Sequence, residues 1–150
     1  MGRVEVDIMV AVAREDVWGV VSNVHRLGDW VTIHRGVEHA DDGPVCEGFT
    51  MVQRLELNGS DFTVDWTAVS VVAPNLLRWE GTGPGGAQAV TEYRLVTEDG
   101  GTRFGYCNDF DAPGGLLGSV VETVLVGDGP EEEAVASLDR LKRLLESSPR

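Results

Sequence analysis

Positive charge is scarce in this chain. Twelve lysines and arginines stand against 25 aspartates and glutamates, for a formal net charge of -13 and a pI near 4.4. A nucleic acid repels such a chain, and no basic patch offsets the repulsion, so nucleic acid is excluded as a partner. Anionic membrane surfaces are disfavoured for the same reason. Long apolar runs are missing too: none approaches the ~20 residues that span a bilayer. Glu5 and Asp7 interrupt the start of the chain, which argues against a signal peptide, and Val6 stands where a myristoylation pattern needs Ser or Thr. The expectation is a cytoplasmic protein with no stable membrane insertion. Cysteine is almost absent. Cys46 and Cys107 are far apart, show no metal spacing and are expected as free thiols. His25, His34 and His39 form no zinc constellation. G-x-S-x-G, a phosphate loop, a dinucleotide fingerprint and a nucleophilic Cys beside a His are all lacking, so neither metal nor cofactor is expected.

What is present is organised around the end of the chain. Residues 114–147 give the longest helical reading. Val135, Leu138, Leu141 and Leu145 recur three or four apart, with Asp139, Arg140, Lys142 and Arg143 on the other faces, which predicts an amphipathic helix. The earlier half differs: Leu116, Leu117, Val120, Val121, Val124 and Leu125 make a broad, charge-poor apolar face that must lie against something apolar. Gly127, Asp128, Gly129 and Pro130 interrupt the run, because Gly and Pro disfavour a helix interior. Two helical segments are predicted, with Pro130 at a first-turn position and Glu131, Glu132 and Glu133 near the positive end of the second. The break is either a passive kink or a gate beside a cavity mouth.

The remainder reads mostly as strand. Residues 3–12 alternate, with Val4, Ile8, Val10 and Val12 opposite Glu5 and Asp7. A short helix follows from Arg14, with Val17, Trp18, Val20 and Val21 as its apolar side, and a second turn or helix covers residues 25–30. Strands are then predicted over residues 31–39, 49–57, 62–73, 76–81, 89–97 and 102–110. Asn58-Gly59 is the strongest hairpin signal, and Asp99-Gly100-Gly101 is another. The order β-α-α-β6-α predicts one α+β domain over residues 1–150: a seven-stranded curved antiparallel sheet, wet on one side, wrapped around a long broken C-terminal helix.

That order, with AREDVWGVVSNVHRLGDW at 13–30, VAPNLLRWEG at 72–81, GGTRF at 100–104, APGGLLG at 112–118 and SLDRLKRLLE at 137–146, resembles the START-like helix-grip (SRPBCC) superfamily, including its polyketide cyclase/dehydrase and lipid-transport group. The resemblance implies a deep cavity between the sheet and the C-terminal helix, here facing residues 116–125, that takes an apolar or amphipathic small molecule. It does not imply one reaction.

Strand parity supplies the candidate site residues. Tyr106 and Asn108 share a face with Phe104 and Phe110; Thr91 and Tyr93 with Leu95; Gln53 with Met51 and Leu55. These polar groups either orient a ligand carbonyl or hydroxyl or pair with one another. Trp30, Trp66 and Trp79 supply apolar surface as core or as cavity lining, and Trp18 is expected as core. His34 is expected at the cavity rim, or as a structural residue. Leu117, Val120, Val121 and Val124 complete the expected wall. Arg54 and Arg94 alternate to the wet face, and the acidic run 131–133 is expected to be solvated. The resemblance implies that cyclases of the group use an arginine and tyrosines in the pocket, and no arginine falls on the inner parity. The expected function is therefore binding or carriage of a lipid-, quinone- or polyketide-like molecule by a monomer or homodimer. The alternatives are a polyketide aromatase/cyclase or dehydratase, or a structural or regulatory protein with a filled core.

Overall fold

A strand that buries one face must satisfy its backbone groups sideways, so successive alternating segments pair with one another. A computed structural model describes residues 2–57, 59–111 and 129–147. Strand β1 (Gly2–Val10) leads to α1 (Arg14–Val21), a 3-10 turn (Val24–Arg26) and α2 (Leu27–Trp30). Strands β2 (His34–Ala40), β3 (Thr50–Leu57), β4 (Ser60–Val72), β5 (Leu76–Thr82), β6 (Gln88–Glu98) and β7 (Gly101–Asp111) follow, and then helix α3 (Gly129–Ser147). All seven strands form one antiparallel sheet in the order β1-β7-β6-β5-β4-β3-β2. This is the α+β helix-grip arrangement that the sequence predicts. Strand β2 begins at His34 rather than at residue 31, because residues 31–33 form the turn that leaves α2.

The hairpins sit where turn chemistry places them. Leu57 pairs with Ser60 where the Asn58-Gly59 turn is expected, and Gly59 takes φ +82°. Glu98 pairs with Gly101, and Asp99 and Gly100 take φ +50° and +78°, the paired positive angles that tight hairpin turns need.

The inner face carries the core. Met51, Leu55, Val64, Trp66, Leu77, Trp79, Tyr93, Leu95 and Phe104 are buried on the sheet, and Val17, Val20, Val21, Leu27 and Trp30 cover them from α1 and α2. Trp18 is only partly buried, at the edge of this core rather than in it. The outer face is charged. Arg3 pairs with Glu5 and Asp109, Arg103 with Asp7 and Glu98, and Arg78 and Arg94 share Glu92. Arg54 and Arg94 lie on this exposed side, as their parity requires.

Helix α3 buries Ala134, Ser137, Leu138, Leu141 and Leu145. Val135, expected on the buried stripe, is instead 53% exposed. The stripe runs 134, 138, 141, 145, and a residue one position after its first member is rotated about 100° away from it. At the far end of the helix, Lys142 Nζ donates to the Met9 carbonyl at 2.7 Å, and the Glu146 carboxylate accepts from Ala11 N at 2.8 Å. These bonds tie α3 to the end of β1. The expected apolar face at residues 116–125, and Gly127 and Asp128 of the expected helix break, lie outside the described residues; Gly129 and Pro130 open α3. Among the described residues no helix is long and apolar enough to cross a membrane. Cys46 and Cys107 are free thiols.

Candidate functional site

A cavity of about 140 Å³ opens between the inner sheet face, α2 and the first turns of α3. An apolar space of this size is large enough for a small organic molecule such as benzene. Strands β3 to β7 supply most of the wall, because their inward positions alternate with outward charged ones. Of the residues singled out from the sequence, Trp30, Met51, Gln53, Leu55, Trp66, Trp79, Thr91, Tyr93, Tyr106 and Asn108 line it. Leu117, Val120, Val121 and Val124 lie outside the described residues.

His34 does not line the cavity. Strand β2 is an edge strand, one ladder further out than β3, so Gln53 stands between His34 and the space. The three side chains Trp66, Gln53 and His34 form a directed relay. An indole N–H can only donate, so Trp66 Nε1 fixes Gln53 Oε1 as its acceptor at 2.9 Å. Gln53 Nε2 then donates to His34 Nδ1 at 3.0 Å, which places the imidazole proton on Nε2. Gly81 makes room for this arrangement: it pairs with Trp66, and a Cβ there would stand 2.5 Å from the Trp66 ring.

Burial holds the His34 pKa below its ordinary value, and the charges of Arg35 and Arg54 push it in the same direction. Above pH ~6.5 the histidine is neutral in both folded and unfolded chains. Below that, the unfolded chain takes up its proton first, so stability falls as pH falls through about 6.5 toward the lowered folded value. Denaturant midpoints measured from about pH 8 down to 5 are expected to show this slope, and His34→Gln is expected to flatten it. A slope unchanged in the variant would assign the effect to other groups.

The opposite wall is a cluster of aromatic rings. Trp30 meets Tyr93 and Phe104 edge-on at 5.7 and 6.0 Å, and Tyr93 stacks on Tyr106 at 6.1 Å. Thr91 Oγ1 donates to Asn108 Oδ1 at 3.0 Å. Burial, with a smaller push from Cys107, raises the Tyr106 pKa to about 12. Burial and then Tyr106 raise Tyr93 further still. Both phenols are therefore protonated at neutral pH and present themselves as neutral hydrogen-bonding groups.

Residues that the sequence reading missed close the cavity at α3. Thr32 N donates to Ser137 Oγ at 3.0 Å, and the Thr32 hydroxyl lies 3.2 Å from Ser137 Oγ and donates to the Glu133 carboxylate. Glu133, Ala134, Ser137 and Leu138 face the space with Val31 and Ile33. Glu133 thus departs from the solvated acidic run in which it was expected, while Glu131 and Glu132 are exposed. A signal was available: Ser137 is a polar residue on an apolar stripe, and Glu133 sits one turn before it on the same face. Among the described wall residues Glu133 is the one carboxylate, and there is no arginine, lysine or histidine.

Known proteins are similar to this chain. Rv1546, an uncharacterized protein of Mycobacterium tuberculosis H37Rv, is 26% identical over 130 residues, covering 85% of this chain and 91% of that protein. Toxin Rv0910 of the same strain is 25% identical over 131 residues, covering 85% and 90%. Among solved structures, the Zhui aromatase/cyclase of Streptomyces sp. R1128 superposes with a TM-score of 0.76 at 22% identity, covering 97% of this chain and 93% of that one. At that identity the likeness shows a common fold. With its family model matching residues 1–146, the chain belongs to the polyketide cyclase / dehydrase and lipid transport family.

Proposed function

We propose that the chain works as a single START-like domain that reversibly binds or carries a hydrophobic small molecule, lipid-, quinone- or polyketide-like, in the cytoplasm. The observation that carries this reading is the apolar cavity of about 140 Å³, walled by aromatic and aliphatic side chains with a few convergent hydroxyls and amides. Apolar walls supply affinity at ~25 cal/mol per Å² buried, and the polar groups set orientation. Acid–base catalysis on a bound chain asks for titratable groups facing the reacting atoms. The described wall offers Glu133 and two phenols with raised pKa values, so binding has better support than cyclisation or dehydration.

Ala89 provides the test. It lies on the wall and is only partly buried, so a larger side chain can enter the space from β6. Ala89→Phe is expected to weaken the binding of 1-octanol, measured by titration calorimetry, by at least about tenfold while leaving the circular dichroism spectrum unchanged. Equal affinity in the two proteins would remove the cavity as the binding site.

A further inference from the structure

The cavity wall has an unbalanced charge inventory. Glu133 lies on it, held in place by the Thr32 hydroxyl. No described cation faces it. Arg35 spends its guanidinium on Glu56 and on the Thr32 and His34 carbonyls, and Arg140 donates to the Gly28 carbonyl. Lys142, the single lysine of the chain, is bound to the Met9 carbonyl and Glu146. The relay from Trp66 through Gln53 fixes His34 Nδ1 as an acceptor. Residues 112–128 contain no Lys, Arg or His, and their titratable side chains are Glu122 and Asp128. Wherever that segment runs, it brings the cavity no positive charge.

We infer that the cavity takes uncharged ligands and refuses carboxylates, and that Glu133 is the group that refuses them. The inference rests on the binding reading above and narrows its ligand class. A carboxylate entering this space gives up its hydration, finds no counter-charge among the described residues and meets a second carboxylate. An alcohol, ketone or quinone oxygen gives up far less and is recovered by neutral partners. Asn108 spends its oxygen on Thr91, which leaves the amide hydrogens for a ligand, and the Tyr93 and Tyr106 hydroxyls are protonated. A hydrophobic molecule with a neutral oxygen fits this inventory, and a free fatty acid does not.

The matched pair 1-octanol and octanoate tests it, because chain length and apolar area are the same and only the head differs. Titration calorimetry at about pH 8 is expected to give octanol an affinity at least about tenfold higher than octanoate. Glu133→Gln keeps an oxygen to accept from Thr32, so the loop contact is preserved while the charge is removed. In this variant the gap between octanol and octanoate is expected to narrow at least about threefold. Octanoate within tenfold of octanol in the wild type overturns the inference and leaves the binding reading standing. An unchanged gap in Glu133→Gln overturns the role of Glu133. A protein that binds neither molecule overturns the binding reading itself.

Discussion

Replacing Trp30 with alanine is expected to cost about 3–5 kcal/mol of folding stability, the range for deleting a large buried aromatic ring. Trp30 closes the last turn of α2 and is 1% exposed. Its ring meets Tyr93 and Phe104 and lies in the same core cluster as Leu138 and Leu141 of α3, so it joins the helix pair, the sheet and the C-terminal helix. Deleting it enlarges the existing cavity into the core, where the surrounding rings cannot collapse without breaking the sheet register. Against a total stability of roughly 5–15 kcal/mol, the loss is a large fraction. The indole N–H has no hydrogen-bond partner among the described residues. Trp30→Phe removes that orphan with only part of the ring and is expected to cost about 1–2 kcal/mol. Guanidinium denaturation followed by circular dichroism measures both. A loss under about 1 kcal/mol for the alanine variant would mean that the ring does not join the three layers.

Gln53→Leu is expected to destabilise by about 2–3 kcal/mol although leucine nearly matches glutamine in volume. The side chain removed serves Trp66 Nε1 and His34 Nδ1 together, and the first of these is buried. Leucine leaves a buried indole donor unpaired, and that desolvation cost outweighs the gain from an apolar side chain. Gln53→Glu separates polarity from packing. A carboxylate accepts from the indole and from a protonated imidazole, so it raises the His34 pKa in the folded chain instead of lowering it. The pH dependence is then expected to change sign: the added stability is present below about 6.5 and lost as pH rises through the raised value. Denaturant midpoints at about pH 5.5 and 8 for the three proteins decide the matter. A Gln53→Leu variant as stable as wild type would show that the relay holds nothing together.

These two sites show how far the sequence reaches. Parity along a strand is a local property, so Met51, Gln53 and Leu55 fall inward and Arg54 outward wherever the strand is placed. Gly59 and the pair Asp99-Gly100 set their turns by local backbone preference, and with them the register of two hairpins. Strand count, layer order and the inward aromatic face were therefore legible from residue order. So was the shortage of cations.

Partnership across the fold was not legible, because it depends on distances between segments far apart in sequence. Parity placed Gln53 inward but could not pair it with His34 and Trp66, which are 19 and 13 residues away on neighbouring strands. The contact of Thr32 with Glu133 and Ser137 spans 101 and 105 residues and depends on how α3 is rolled about its axis. A helical pattern leaves that roll uncertain by about one residue, or 100°. That margin is why Val135 was expected inside and is outside, and why Glu133 was expected in solvent and faces the cavity. Residue order determined the sheet and its two faces through local steric and hydrophobic rules, and only tertiary packing decided which polar groups meet at the site.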